Sequence, residues 1–226
     1  MKTIAKTIAI ATITFGCMVA GVSVVPAGAQ STVFNFQHSG ATDFFPFLTR
    51  AQDGFSLDIH PFTSTDPNGT VSPAWSAVVG TGLGVYTGTS GLGVQAYSGD
   101  SNDLDGSNLD GSSTQMEGLR FTFNTGVKLE AIHFAGMGSS DDFNLTVDGT
   151  LKLLDVSPNP LDLAEMRDSW YSVNQTGTEF LIWADGIDDD FRVAGLQAAA
   201  IPEPTSLVLM VTALTMAGTV RRLRIQ

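Results

Sequence analysis

The chain has 226 residues, a formal net charge of −12 and a single cysteine. Between residues 30 and 200 six basic residues stand against 22 acidic ones, a net charge of −16; such a field repels nucleic acid and anionic membrane surfaces and attracts cations such as calcium. The cysteine, Cys17, lies near the N-terminus, so the remaining chain has no disulfide to form; about 170 residues are held by an apolar core, enough for one domain.

The first 29 residues read as an export signal. Lys2 and Lys6 precede an apolar stretch from Ile8 to Val25, and Ala27-Gly28-Ala29 follows. A charged region, an apolar region and small residues at A-x-A positions form a secretory signal, with cleavage expected after Ala29. Thr14-Phe15-Gly16 before Cys17 lacks the leucine and small residues of a lipid-attachment site.

From residue 30 onward the pattern is that of strands. TVFNF, GFSLDIHPF and AWSAVVG are the first candidates. GLGV then occurs at 82–85 and again at 91–94; two copies are too few for a repeat array, and the segment is expected to be a glycine-rich hairpin or adjoining strand ends. An acidic loop, SGDSNDLDGSNLDGSS, follows. GLRFTFN places Leu119, Phe121 and Phe123 on one face and Arg120 and Thr122 on the other, the period of a half-buried strand. VKLEAIHFAG is the next candidate. FNLTVDG leads through Asp148-Gly149 into TLKLLDV, and Asp-Gly between two such runs predicts a hairpin. PLDLAEMRDSW is the one stretch able to make more than a turn of helix. TEFLIWAD and DFRVAGLQAA complete the set, and the last strand is expected to end near Ala200. Many short strands separated by Gly, Asn, Asp and Ser predict an all-β fold, a single β-sandwich or jelly-roll-like domain over residues 30–200; alternation alone is equally compatible with a closed barrel.

The chain ends in a second apolar segment. Leu207 to Val220 carries no charge over 14 residues; as a helix it would reach about 21 Å, short of a hydrocarbon core about 30 Å thick. Pro202 and Pro204 oppose its extension backwards. Arg221, Arg222 and Arg224 favour a cytoplasmic end and extend the reach by snorkelling.

Pro202-Glu203-Pro204, the short apolar helix and the terminal arginines, in this order over residues 201–226, closely resemble the PEP-CTERM sorting signal of Gram-negative bacteria that make extracellular polysaccharide. Ile201 before the motif and Thr205-Ser206 after it fit the same form. The resemblance implies recognition by an exosortase, a membrane cysteine protease or transpeptidase, transient anchoring in the inner membrane through the C-terminal helix, and release to the cell surface or extracellular matrix. The GLGV segment, the acidic glycine loop, LRFTF and DDFNLTVDG also resemble the body of a subgroup of these proteins, and no activity comes with that likeness.

Chemistry is sparser. The acidic loop departs from the EF-hand pattern: with Gly106 at the turn position, Asp103 and Asp105 fit, but Ser101 and Ser112 stand where the first and last carboxylates belong. A looser calcium site would use Asp100, Asp103, Asp105 and Asp110. DGIDDDF gathers Asp185, Asp188, Asp189 and Asp190, and SSDDF adds Asp141 and Asp142; aspartate also favours turns and strand starts without any ligand. His38, His60 and His133 are scattered, with no H-E-x-x-H and no G-x-S-x-G. Glu117 with Glu130, or paired aspartates, would suit glycoside hydrolysis only at a separation of about 5–9.5 Å. Trp183 reads as core, and Trp170 as a surface aromatic. The expectation is therefore a non-enzymatic exported protein of the surface or matrix, adhesive or structural in a polysaccharide setting. The alternative is a calcium-dependent carbohydrate-binding module or glycan-active enzyme.

Overall fold

The computed structural model describes residues 30–40, 42–65, 74–98, 100, 102–106, 116–157, 170–184, 186 and 189–201. The signal segment, the helix candidate up to residue 169 and the sorting segment from Pro202 onward lie outside the described residues.

Thirteen strands make up the described body: β1 (Ser31–Asn35), β2 (Asp43–Phe45), β3 (Leu48–Gln52), β4 (Phe55–Ser64), β5 (Ser76–Ala77), β6 (Gly84–Gly88), β7 (Gly91–Gln95), β8 (Leu104–Asp105), β9 (Met116–Ala135), β10 (Phe143–Val147), β11 (Thr150–Val156), β12 (Trp170–Trp183) and β13 (Asp190–Ala200). The all-β expectation holds. Every strand pairing is antiparallel, and the sheet is open, running β11-β10-β12-β9-β13-β7-β6-β2 with β1, β3, β4, β5 and β8 off that path.

The long strand β9 organises the sheet. The sequence pattern predicts two strands, GLRFTFN and VKLEAIHFAG, separated at Thr125-Gly126, but the chain runs through without a turn as one strand of 20 residues. Its first half pairs with β4 (Phe121 opposite Ile59) and its second half with β13 (Ile132 opposite Leu196). β12 accompanies it along both halves, from Trp170 opposite His133 to Trp183 opposite Gly118. Register shifts near Gln175 and Gly177 of β12 let the pair change direction, since an extra residue in a ladder bends the strand.

The sheet curls over one core. Phe34 and Phe36, at and just beyond β1, meet Phe123 and Phe121 of β9, with ring centroids 5.9 Å apart in each pair. Leu57, Ile59, Leu119, Phe121, Phe143, Phe180 and Phe191 are fully buried there. On the opposite face of β9 a smaller cluster of Met116, Leu181 and Trp183 is capped by Trp75, whose ring stands edge-on to Trp183 at 5.5 Å. Trp183 is thus buried as expected.

Local chemistry accounts for the hairpins. The two GLGV segments supply β6 and β7, with Val85 opposite Val94. Asp148 and Gly149 both have positive φ (47° and 74°), the backbone that a two-residue turn of this hand needs and that glycine and aspartate tolerate. The Asp148 carboxylate accepts hydrogen bonds from the backbone N–H of Thr178 (3.0 Å) and Glu179 (2.9 Å) and from the Thr178 hydroxyl (2.9 Å). Partial burial works against the charge, but these donors outweigh it and hold the carboxyl below its ordinary value. Stability from Asp148 is therefore present above the ordinary carboxylate range and lost as pH falls through the lowered value. Asp148→Ala is expected to cost about 1 kcal/mol in urea unfolding at neutral pH, with the difference from wild type shrinking in acid.

AWSAVVG contributes only the two residues of β5. The polar stretch before TEFLIWAD, from Tyr171 to Gly177, is strand as well. Thr, Tyr and Val suit an extended chain, and β9 supplies the tertiary partner that alternation in this segment alone does not announce.

Candidate functional site

Among its described residues, the acidic loop is tied back on itself through Asp100. Between β7 and β8 the chain turns at Asn102, with φ 69°, and the Val94 N–H donates to the Asp103 carbonyl at 3.0 Å. Asp100 Oδ2 accepts from the backbone N–H of Ala96 at 2.6 Å. This returns Asp100 and Asp105 toward the start of β9, where Glu117 lies in phase with the core residues Leu119, Phe121 and Phe123 and is 2 % exposed. The Asp105 N–H donates to Glu117 Oε2 at 3.3 Å. One carboxylate oxygen from each of Asp100, Asp105 and Glu117 lies within 4.8 Å of the others, and all three residues are buried.

Such an arrangement disfavours the charged form of Glu117. Burial, followed by the neighbouring charges of Asp100 and Asp105, pushes Glu117 well above the ordinary carboxylate range. Three like charges in that volume are tolerated only with protons or a cation among them. The donor set is all oxygen, which suits a hard ion such as calcium; a calcium ion takes six to eight oxygens at about 2.3–2.6 Å, so backbone or solvent oxygens would complete the shell.

Asp103, predicted to join the same site, belongs to a neighbouring group. It forms an ion pair with Arg192 of β13, whose guanidinium carbon lies 4.8 Å from the Tyr86 ring centre. Burial, then the charge of Asp190, raise the Asp103 carboxyl to about 7, with Arg192 opposing. Asp110 lies outside the described residues, as do Asp185 and Asp188. Glu117, outside the acidic loop, completes the group instead, and its signal in the sequence is a carboxylate in register with the apolar face of a strand.

Two acids of the other aspartate loops bond the backbone. Asp189 accepts from the N–H of Asp142 (2.8 Å) and of Gly186 (2.6 Å), and Asp141 accepts from the N–H of Gly138. The two aspartate loops thus meet, through main-chain hydrogen bonds that shape turns.

Of the carboxyl pairs weighed for hydrolysis, Glu117 and Glu130 are apart. Glu117 and Glu130 face opposite sides of β9: Glu117 is with the buried acids, whereas Glu130 Oε2 accepts from Ser31 Oγ (2.8 Å) and Gln197 Nε2 (3.1 Å) on the outer surface. His60 stacks on Phe47 and His133 on Trp170, while His38 Nδ1 accepts from the Gly40 N–H. A pocket of about 520 Å³ is lined by Gln37, Thr89, Ser90 and the segment Ala135–Gly138, none of them titratable. No protein family, curated protein or solved structure matches the chain.

Proposed function

We propose that the protein is an exported component of the cell surface or extracellular matrix, sorted by an exosortase-type protease and acting by adhesion or as structure rather than by catalysis. The observation that carries this reading is the ordered C-terminal pattern: Pro202-Glu203-Pro204, an uncharged stretch from Leu207 to Val220, then Arg221, Arg222 and Arg224. The body supports it. β13 ends at Ala200 and Ile201 is exposed, so the motif follows the last strand directly. The body itself is read as a β-sandwich of jelly-roll type, supported by the facing aromatic contacts between β1 and β9.

Processing tests this function. A neutral exported reporter carrying residues 201–226 is expected to be cleaved and released from the inner membrane in a host with an exosortase, and Glu203→Ala is expected to leave it uncleaved and membrane-bound. Equal processing of the two fusions, read from the mass of the product, contradicts the sorting role.

A second reading, calcium-dependent recognition of glycans, is favoured by one observation, the buried group of Asp100, Asp105 and Glu117. Its test is thermal stability with and without calcium, argued in the Discussion.

A further inference from the structure

The outer surface of the strip β1-β13-β9-β12 carries an aromatic residue that the core does not use. Trp170 is 42 % exposed, yet its indole is fixed in position. It stacks on His133 with ring centroids 4.9 Å apart and planes 16° apart. His133 is the register partner of both Trp170 and Gly195, so the three residues form one row across three strands. The indole leans along that row: its Cη2 lies 3.3 Å from where a Cβ on Gly195 would stand. The missing side chain at Gly195 makes the space into which the ring settles.

Polar groups are assembled two residues further along β13, about 7 Å away at the rise of an extended strand. Gln197 Nε2 donates to Ser31 Oγ at 3.0 Å and to Glu130 Oε2 at 3.1 Å, and Ser31 Oγ donates to the same Glu130 oxygen at 2.8 Å. A bulge sets this up. Gln197 and Ala198 are consecutive on β13, but their partners Ala131 and Leu129 skip Glu130, and an extra residue in a ladder re-aims its side chain.

A flat, immobilised indole beside a carboxylate, an amide and a hydroxyl matches the two kinds of surface on a pyranose ring. Its axial C–H face is apolar and seats on an aromatic face, while its equatorial hydroxyls both donate and accept. Ordering losses on binding are small because the ring and the polar triad are already held. The net charge of −16 over residues 30–200 opposes an anionic polymer and leaves a neutral one as the partner. We propose that this strip is a binding site for a neutral polysaccharide, contacted through Trp170 and oriented by Glu130 and Gln197. The inference rests on the matrix role proposed above and gives it a partner and a place.

Affinity electrophoresis of the full-length chain in mild detergent tests it, with β-glucan, β-mannan, dextran or alginate cast into native gels. Retardation is expected in at least one of the three neutral polymers and not in alginate, with Trp170→Ala weakening binding roughly tenfold or more, as loss of a central aromatic anchor does. Trp170→Phe is expected to keep part of the binding. Gln197→Ala, which leaves the stacked row untouched, is expected to weaken binding too and serves if Trp170→Ala fails to fold. Absence of retardation in all three neutral polymers, stronger retardation in alginate, or equal retardation of wild type and both alanine variants overturns the proposal. Sorting is read separately from reporter processing, so failure of one leaves the other measurable.

Discussion

Phe121→Ala is expected to lower the stability of the protein by about 3–5 kcal/mol, the cost of removing a buried aromatic side chain and leaving its cavity. Phe121 is fully buried on β9, opposite Ile59 of β4 and Phe180 of β12, and stacks on Phe36 with planes 23° apart. It therefore joins both neighbouring strands and the segment just beyond β1 at once. Domains have a total stability of roughly 5–15 kcal/mol, so this single change removes a large share of it. The melting temperature is expected to fall by roughly 6–20 °C, from about 2–4 °C per kcal/mol at this size. Val33→Ala is the control: Val33 is 43 % exposed and its replacement is expected to stay within about 0.5 kcal/mol. Equal melting of the two variants would contradict the placement of Phe121 in the core.

Without divalent cations, the protein is expected to melt at lower temperature as pH rises from about 5 to about 8, contrary to proteins whose carboxylates are stabilised as anions. The sign follows from the direction of the shifts. Glu117 and Asp103 are both raised, the first mainly by burial and then by Asp100 and Asp105, the second by burial and Asp190, to about 7. A raised carboxyl binds its proton more tightly in the folded state, so its stabilising contribution is complete below the ordinary carboxylate range and lost as pH rises through the raised value. Glu117→Gln keeps the shape and removes one titrating group, and its profile is expected to be flatter. Calcium separates the two ways of balancing the charge. If the three oxygens hold the ion, adding it at about 100 times its dissociation constant stabilises the protein by about 2.7 kcal/mol, roughly 5–10 °C in melting temperature. That gain is expected to vanish in Glu117→Gln and in Asp105→Asn. A flat response of the wild type to calcium eliminates the calcium-dependent reading and leaves a buried acidic group that shapes the loop.

Much of the sheet is written locally. The alternation of Leu119, Phe121 and Phe123, the Asp148-Gly149 turn and the paired GLGV segments each specify backbone conformation within a few residues, and each appears as a strand or hairpin where expected. Failures occur where the deciding partner is distant. Asn124-Thr125-Gly126 has the residues of a turn, but β12 along one edge of β9, and β4 followed by β13 along the other, hold it extended within β9. The candidate sites show the same division. Clustering of Asp100, Asp103 and Asp105 was visible, yet separation by two residues in the loop does not reveal that Asp105 turns to Glu117 while Asp103 turns to Arg192. The row of Trp170, His133 and Gly195 depends on register between three strands up to 62 residues apart in the chain and left no local trace beyond an aromatic in polar company.

Pairing of Ser31 with Ala199 also has a kinetic consequence. A chain emerging from the ribosome presents β1 first and must wait for almost the whole body before its partner exists. Closure of so long a loop is entropically slow, and topologies dominated by such distant contacts fold in milliseconds to seconds rather than microseconds. During synthesis Phe34 and Phe36 would remain uncovered, and under the export proposed above this slow closure would leave time for delivery to a translocation channel.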